Sequence, residues 1–77
     1  ALEVPRAIRL TEGGQETVAV RDLAAGDLIA VRPGARVPVD GTVEDGESEI
    51  DRSLLTGESL PARAAPGGTV SAGEVNL

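Results

Sequence analysis

The sequence predicts a small, mainly β fold, a sandwich or barrel of short strands with at most one helical turn. Apolar runs of four or five residues recur along the chain, separated by turn signals at intervals of about eight to twelve residues. Gly and Pro punctuate those runs at Gly13-Gly14, Pro33-Gly34, Asp40-Gly41, Asp45-Gly46 and Pro66-Gly67-Gly68. Only one stretch, Arg52 to Leu54, reads as helix.

Ala7 to Leu10 and Thr17 to Val20 read as two strands, with Ile8 and Leu10 on one face of the first and Val18 and Val20 on one face of the second. Glu12-Gly13-Gly14-Gln15 between them is a turn sequence, and a hairpin is the simplest reading. Asp22 to Gly26 is a tight connection ending in Gly26-Asp27. Leu28 to Val31 is a continuous apolar run, short enough for a strand buried on both faces. Arg32-Pro33-Gly34 stops it in a sequence that suits a type II turn. Val37 and Val39 alternate around Pro38, which lacks an N–H and belongs at an edge or bend.

Thr42 to Glu44 is a brief strand between the turn dipeptides Asp40-Gly41 and Asp45-Gly46. Asp51 can cap one helical turn through Arg52, Ser53 and Leu54. In Leu54-Leu55-Thr56-Gly57-Glu58-Ser59-Leu60-Pro61 the leucines are expected to anchor a loop in the core while Glu58 points outward. Pro61 keeps Leu60 out of a helix. Ala62 to Ala65 is ambiguous. Thr69 to Ala72 and Glu74 to Leu77 read as strands with Gly73 as a bulge or bend between them.

Composition narrows the function. Seventy-seven residues, read as one domain over 1–77, lie near the lower limit for a self-sufficient core. Nine Val, eight Leu, three Ile and eleven Ala, with no aromatic residue and no Met, make that core thin and aliphatic. The absence of Cys and His removes thiolate sites, the commonest transition-metal ligand and the usual general base, so no metal site is expected here. Seven Arg against thirteen acids give a net charge of −6, which excludes a nucleic-acid surface and disfavours anionic lipid. No apolar run approaches the ~20 residues that span a bilayer. The acids Glu44, Asp45, Glu47, Glu49 and Asp51 lack calcium-loop spacing and read as a solvated face.

The segments that carry specificity are Gly26-Asp27, Pro33-Gly34, Val37-Pro38-Val39-Asp40-Gly41, Ile50 to Leu55, the Thr56-Gly57-Glu58-Ser59 loop with Pro61, Gly67-Gly68, and Ala72-Gly73-Glu74-Val75-Asn76-Leu77. In this order and spacing the chain resembles the actuator domain of P-type cation-transporting ATPases over roughly residues 7–77. Val-Pro-Val-Asp-Gly and Ala-Gly-x-Val-Asn-Leu look most like the heavy-metal branch. The Asp51-Arg52-Ser53-Leu54 version is similar to bacterial copper pumps linked to haem–copper oxidase assembly.

The resemblance implies a distorted jelly roll, consistent with the strand pattern. Because members of that family continue with a further strand, it implies an unpaired edge at Val75 and Leu77. It also implies that Glu58 orients water and takes its proton when an aspartyl-phosphate on a separate phosphorylation domain is hydrolysed. Thr56 and Gly57 share that site by the same resemblance, and Ser59 either joins them or shapes the turn. Gly57 permits positive φ and close backbone approach to a phosphate. Asp40 is expected to cap backbone N–H groups. Arg52 stands where heavy-metal members often carry an acid, and Ala62 where a β-branched residue is common. Arg52 therefore bears on how the loop docks.

The implied parent uses ATP and Mg²⁺, neither bound in this domain. Its partners are the phosphorylation and nucleotide-binding domains and membrane helices of the same polypeptide, on the cytoplasmic side of a bacterial inner membrane. The transported cation, copper by the resemblance, is bound elsewhere. There is no Asp-Lys-Thr-Gly motif, no nucleotide pocket and no Cys-Pro-Cys site, so the fragment alone is expected to be inactive. The rival reading is a small non-catalytic β-barrel interaction module.

Overall fold

The computed structural model describes residues 4–57 and 60–77, and the chain divides into two compact units, one ending at Val31 and the other running Arg32–Leu77. The first is a three-stranded antiparallel sheet of order β2-β1-β3, with β1 Arg6–Thr11, β2 Gly14–Ala19 and β3 Ile29–Ala30. β1 and β2 form the expected hairpin, but the turn is tighter than its polar sequence suggests. Thr11 pairs with Gly14, leaving only Glu12 and Gly13 in the loop. Val20 leaves the strand and opens a 3-10 turn, Val20–Asp22.

Arg9 faces its cross-strand partner Glu16 on this sheet, and their side chains form an ion pair. Asp27 closes the turn before β3, its Oδ2 accepting the Ala24 N–H at 2.9 Å and lying 3.4 Å from Arg9 Nη1. Hydrogen bonding to Ala24, then the Arg9 cation, lowers the Asp27 pKa from its ordinary value. The run Leu28 to Val31 is not buried on both faces. β3 has two residues, lies at the edge of its sheet with β1 as its one strand partner, and leaves Leu28 exposed.

The second unit holds two small antiparallel sheets. One pairs β4 Gly41–Thr42 with β7 Thr69–Val70. The other has the order β6-β5-β8, with β5 Ser48–Asp51, β6 Ala62–Ala64 and β8 Val75–Asn76. The ambiguous stretch after Pro61 is therefore a strand. Ser53–Thr56 forms the one α-helical turn, α1, among the described residues. Val37, Ile50 and Ala64 are the buried apolar residues described in this unit. The scarcity of such positions follows from a chain without rings.

The turn at Pro33-Gly34 forms as expected, with Ala35 N–H donating to Arg32 C=O at 2.9 Å and Gly34 at φ 84°, the positive value a type II turn requires. The segment after it corrects a second expectation. Val75 does not lie on an unpaired edge, because residues 34–37 run along β8. Gly34 N–H donates to Asn76 C=O at 2.6 Å, Asn76 N–H to Ala35 C=O at 2.9 Å, and Arg36 bridges Val75. The two ends of the unit thereby close on each other. Asp40 acts as a cap, though across the unit, its Oδ1 accepting the Ala72 N–H at 2.8 Å.

Candidate functional site

The candidate loop is reached through β5. Asp51, its last residue, pairs with Val75 of β8 and turns its side chain onto the next element, Oδ1 accepting the Ser53 N–H at 2.8 Å. That bond is the main reason the Asp51 pKa lies below its ordinary value. Asp51 thus satisfies a free donor at the start of α1, as its sequence position suggests, although the helix begins two residues later, at Ser53. Arg52 occupies the N-cap position without a capping side chain.

The Arg52 carbonyl seats the whole turn. It accepts the Leu55 N–H and the Thr56 N–H, each at 2.9 Å, and the Thr56 hydroxyl at 3.2 Å. Thr56 therefore shapes its own turn through a bond four residues back. Gly57 ends the helix at φ 76°, ψ 0°, with its N–H on Ser53 C=O at 3.0 Å. This left-handed C-cap is the conformation for which glycine is selected. A Cβ at Gly57 would meet nothing within 4 Å among the described residues beyond its chain neighbours, so backbone conformation, not crowding by them, is its local requirement. Of the four candidate residues, Thr56 and Gly57 stand adjacent at the exposed end of α1. Glu58 and Ser59 lie outside the described residues.

The leucines do not hold the loop in the core. Leu54, Leu55 and Leu60 are 68%, 52% and 79% exposed. A helix of one turn has no second turn to bring these side chains against a sheet, and the buried apolar positions described in this unit are Val37, Ile50 and Ala64 instead. Leu55 lies over the turn that follows β7, its Cδ2 3.4 Å from where a Cβ on Gly73 would stand. Gly73, at φ 93°, sits in the turn between β7 and β8.

The same turn carries a residue to which sequence reasoning gave no role. Glu74 is 2% exposed, the one buried charged residue among those described. Its Oε1 accepts the Ser71 N–H at 2.6 Å and its Oε2 lies 2.5 Å from Arg52 Nε. That Arg52 N–H is buried and does not point along the line to the oxygen, so the contact is an ion pair rather than an aligned hydrogen bond. Arg52, expected to affect docking, is thus engaged inside its own unit. The one signal for it was an acid between Gly73 and the β-branched Val75, in a stretch otherwise read as strand.

Among the described residues no group of three or more His, Cys, Asp or Glu is placed to hold a metal ion, and no helix is long and apolar enough to cross a membrane. The family model for the P-type ATPase actuator domain matches residues 1–77. The chain belongs to that family.

Its relatives divide among several metals by name. This actuator domain is 54% identical over 67 residues to a probable cobalt/nickel-exporting P-type ATPase of Mycolicibacterium smegmatis, a match covering 87% of this chain and 10% of that protein. It is 43% identical over 76 residues to a probable copper-exporting P-type ATPase V of Mycobacterium tuberculosis, covering 99% of this chain and 10% of that one. In structure it matches a crystal structure of a zinc-transporting PIB-type ATPase, with a TM-score of 0.90 at 42% identity, over 100% of this chain and 13% of that one. The actuator-domain fold expected from the strand pattern and the resemblance is therefore the fold observed. The chain spans about a tenth of the length of the curated relatives it matches.

Proposed function

We propose that this actuator domain works within a heavy-metal-transporting P-type ATPase, where the Thr56-Gly57-Glu58-Ser59 loop positions the water that hydrolyses the aspartyl-phosphate of a separate phosphorylation domain. The water oxygen forms a bond to phosphorus, the bond from phosphorus to the aspartate oxygen breaks, and Glu58 takes the proton. Inorganic phosphate and a free aspartate carboxylate are the products. Positioned general-base catalysis of this kind contributes ~10²- to 10⁴-fold in rate.

The observation that carries the reading is the presentation of Thr56-Gly57 at an exposed, left-handed helix end in a chain that belongs to the actuator family. Among the described residues beyond its chain neighbours, nothing lies within 4 Å of the Gly57 Cβ position to obstruct approach. A carboxylate near a phosphate is repelled until cations neutralise it, and the parent's Mg²⁺ and basic residues supply that neutralisation. The loop is then inert when withdrawn and catalytic when docked, and rigid-body rotation of the domain couples hydrolysis to the membrane helices.

In this reading the domain lies on the cytoplasmic side of the membrane, and ATP, Mg²⁺ and the transported ion are bound elsewhere in the same polypeptide. The sequence resemblance leans to copper. The relatives' names span cobalt/nickel and copper, so the proposal is kept to a heavy-metal cation.

The rival, a non-catalytic interaction module, draws one point from the exposed Leu54, Leu55 and Leu60, which offer an apolar rim for docking. The same rim suits docking of a catalytic loop. The decisive experiment is phosphoenzyme decay in the full-length parent, wild type against Glu58→Gln, after labelling from ATP. The expected result is normal formation with decay slowed ~10²-fold or more. Equal decay rates would remove the catalytic role.

A further inference from the structure

We infer that Arg52 and Glu74 are positioning residues for this loop, their half-buried ion pair fixing the backbone on which Thr56 and Gly57 are seated. The inference rests on the reading of the loop as the dephosphorylating element.

Glu74 is held from every side. Its carboxylate takes the Ser71 N–H and faces Arg52, its own N–H donates to Ser71 C=O at 3.2 Å, and its carbonyl accepts the Val37 N–H at 2.7 Å. The residue it grips is the one whose carbonyl accepts two backbone N–H groups and the Thr56 hydroxyl. A continuous set of contacts therefore runs from the turn at Ser71, through Glu74 and Arg52, to Thr56. Leu55 also lies over that turn, its Cδ2 3.4 Å from where a Cβ on Gly73 would stand.

α1 needs such support. One helical turn cannot hold itself, since its first hydrogen bond must offset the ordering of several residues. Its position is set by what is clamped beneath it: Asp51 on the Ser53 N–H and the Arg52–Glu74 pair. The second of these leads to the turn between β7 and β8. A general stability role does not account for the placement. A buried ion pair is weak evidence for stability, and an apolar pair of similar volume serves that purpose as well or better. What a charge pair adds is direction, and this one is directed at the residue that starts the turn.

The test uses the full-length ATPase labelled from ATP, with formation and decay of the phosphoenzyme measured separately. The variants are Glu74→Gln, Arg52→Gln, their double combination and Arg52→Lys, with Glu58→Gln alongside. Gln at 74 keeps an acceptor for the Ser71 N–H while removing the charge. Because misplacement by about 1 Å can cost ~10²-fold, each Gln variant is expected to slow decay by roughly 10-fold or more, with formation unchanged. The double variant is expected to be no slower than the slower single one, because both act through one contact. Arg52→Lys, which keeps the cation, is expected to recover most of the rate.

If Glu58→Gln slows decay while both Gln variants decay as wild type, the positioning role is overturned and the loop's role stands. If Glu58→Gln decays as wild type, the loop's role is overturned, and with it the basis of the positioning role. Equal loss of formation and decay in the Gln variants would show the pair to be structural only. Should Arg52→Gln fail to accumulate, because it leaves the Glu74 carboxylate buried without its cation, Glu74→Gln decides alone, since it removes the buried charge and leaves Arg52, whose side chain is 39% exposed, to water.

Discussion

Replacement of Gly57 separates backbone conformation from crowding at the candidate loop. Gly57 sits at φ 76°, ψ 0°, and among the described residues beyond its chain neighbours none lies within 4 Å of a Cβ placed there. The described residues add no collision, and the cost of Gly57→Ala is taken as that of a side chain in the left-handed region, about 1–2 kcal/mol. Against it stands the smaller backbone entropy of the unfolded Ala variant, which stabilises by ~0.4–1 kcal/mol. The net destabilisation is then about 1 kcal/mol.

Asn tolerates the left-handed region better than Ala, and Val tolerates it worse. The expected order of stability is Gly, Asn, Ala, Val. Thermal unfolding of this chain followed by far-UV circular dichroism checks it, since about 1 kcal/mol corresponds to a Tm shift of about 4–8 °C in a domain of this size. Equal Tm values for the four variants would refute the left-handed cap as the reason for glycine. An Asn variant as unstable as Val would refute it too.

Three further outcomes follow from the same geometry. Ile50 is 4% exposed in the central strand β5, so Ile50→Ala is expected to cost ~2–5 kcal/mol and Ile50→Val ~0.5–1.5 kcal/mol, measured by urea unfolding. Leu54 is 68% exposed, so Leu54→Ser is expected to shift stability by no more than about 0.5 kcal/mol in the same assay, and a larger loss would place Leu54 in a packed site. The Asp27 and Asp51 pKa values both lie below the ordinary 3.8, through hydrogen bonds from the backbone at Ala24 and Ser53 respectively. A carboxylate with a lowered folded pKa contributes stability that is present above the unfolded pKa and lost as pH falls through the folded one. Carboxyl NMR titration should find both below 3.8. Asp51→Asn should lower stability at neutral pH, with the difference from wild type shrinking under acid.

The features legible in the sequence were those with a local cause. The hairpin of β1 and β2 follows from alternation around a glycine turn, the Arg32–Ala35 turn from Pro then Gly, and the cap on Ser53 from an acid just before the helix. Gly57 was legible for the same reason, because positive φ is a property of one residue. The Arg52–Glu74 pair was not, since its partners lie in different segments and no periodicity links an Arg at a helix start to a Glu in a distant turn. Closure of residues 34–37 against β8 was hidden likewise, being made by backbone groups that nearly every residue carries.

The leucines failed for a different physical reason. Burial of apolar side chains is a one-way rule: what is inside is mostly apolar, but much of what is outside is apolar too. Leu54 and Leu55 are adjacent on a helix of four residues, so their side chains diverge by ~100° and cannot both face one sheet. An apolar pair marks a core position only when the element is long enough to repeat it on one face, and α1 is not. The loop must then be held by something other than hydrophobic anchoring. What the structure offers in its place is polar: Asp51 on the Ser53 N–H, the Arg52 carbonyl beneath Thr56, and Glu74 beneath Arg52. Polar contacts hold a loop in a defined direction where side-chain packing alone tolerates rotation, and a loop that must meet a phosphate from one side is better served by direction than by depth.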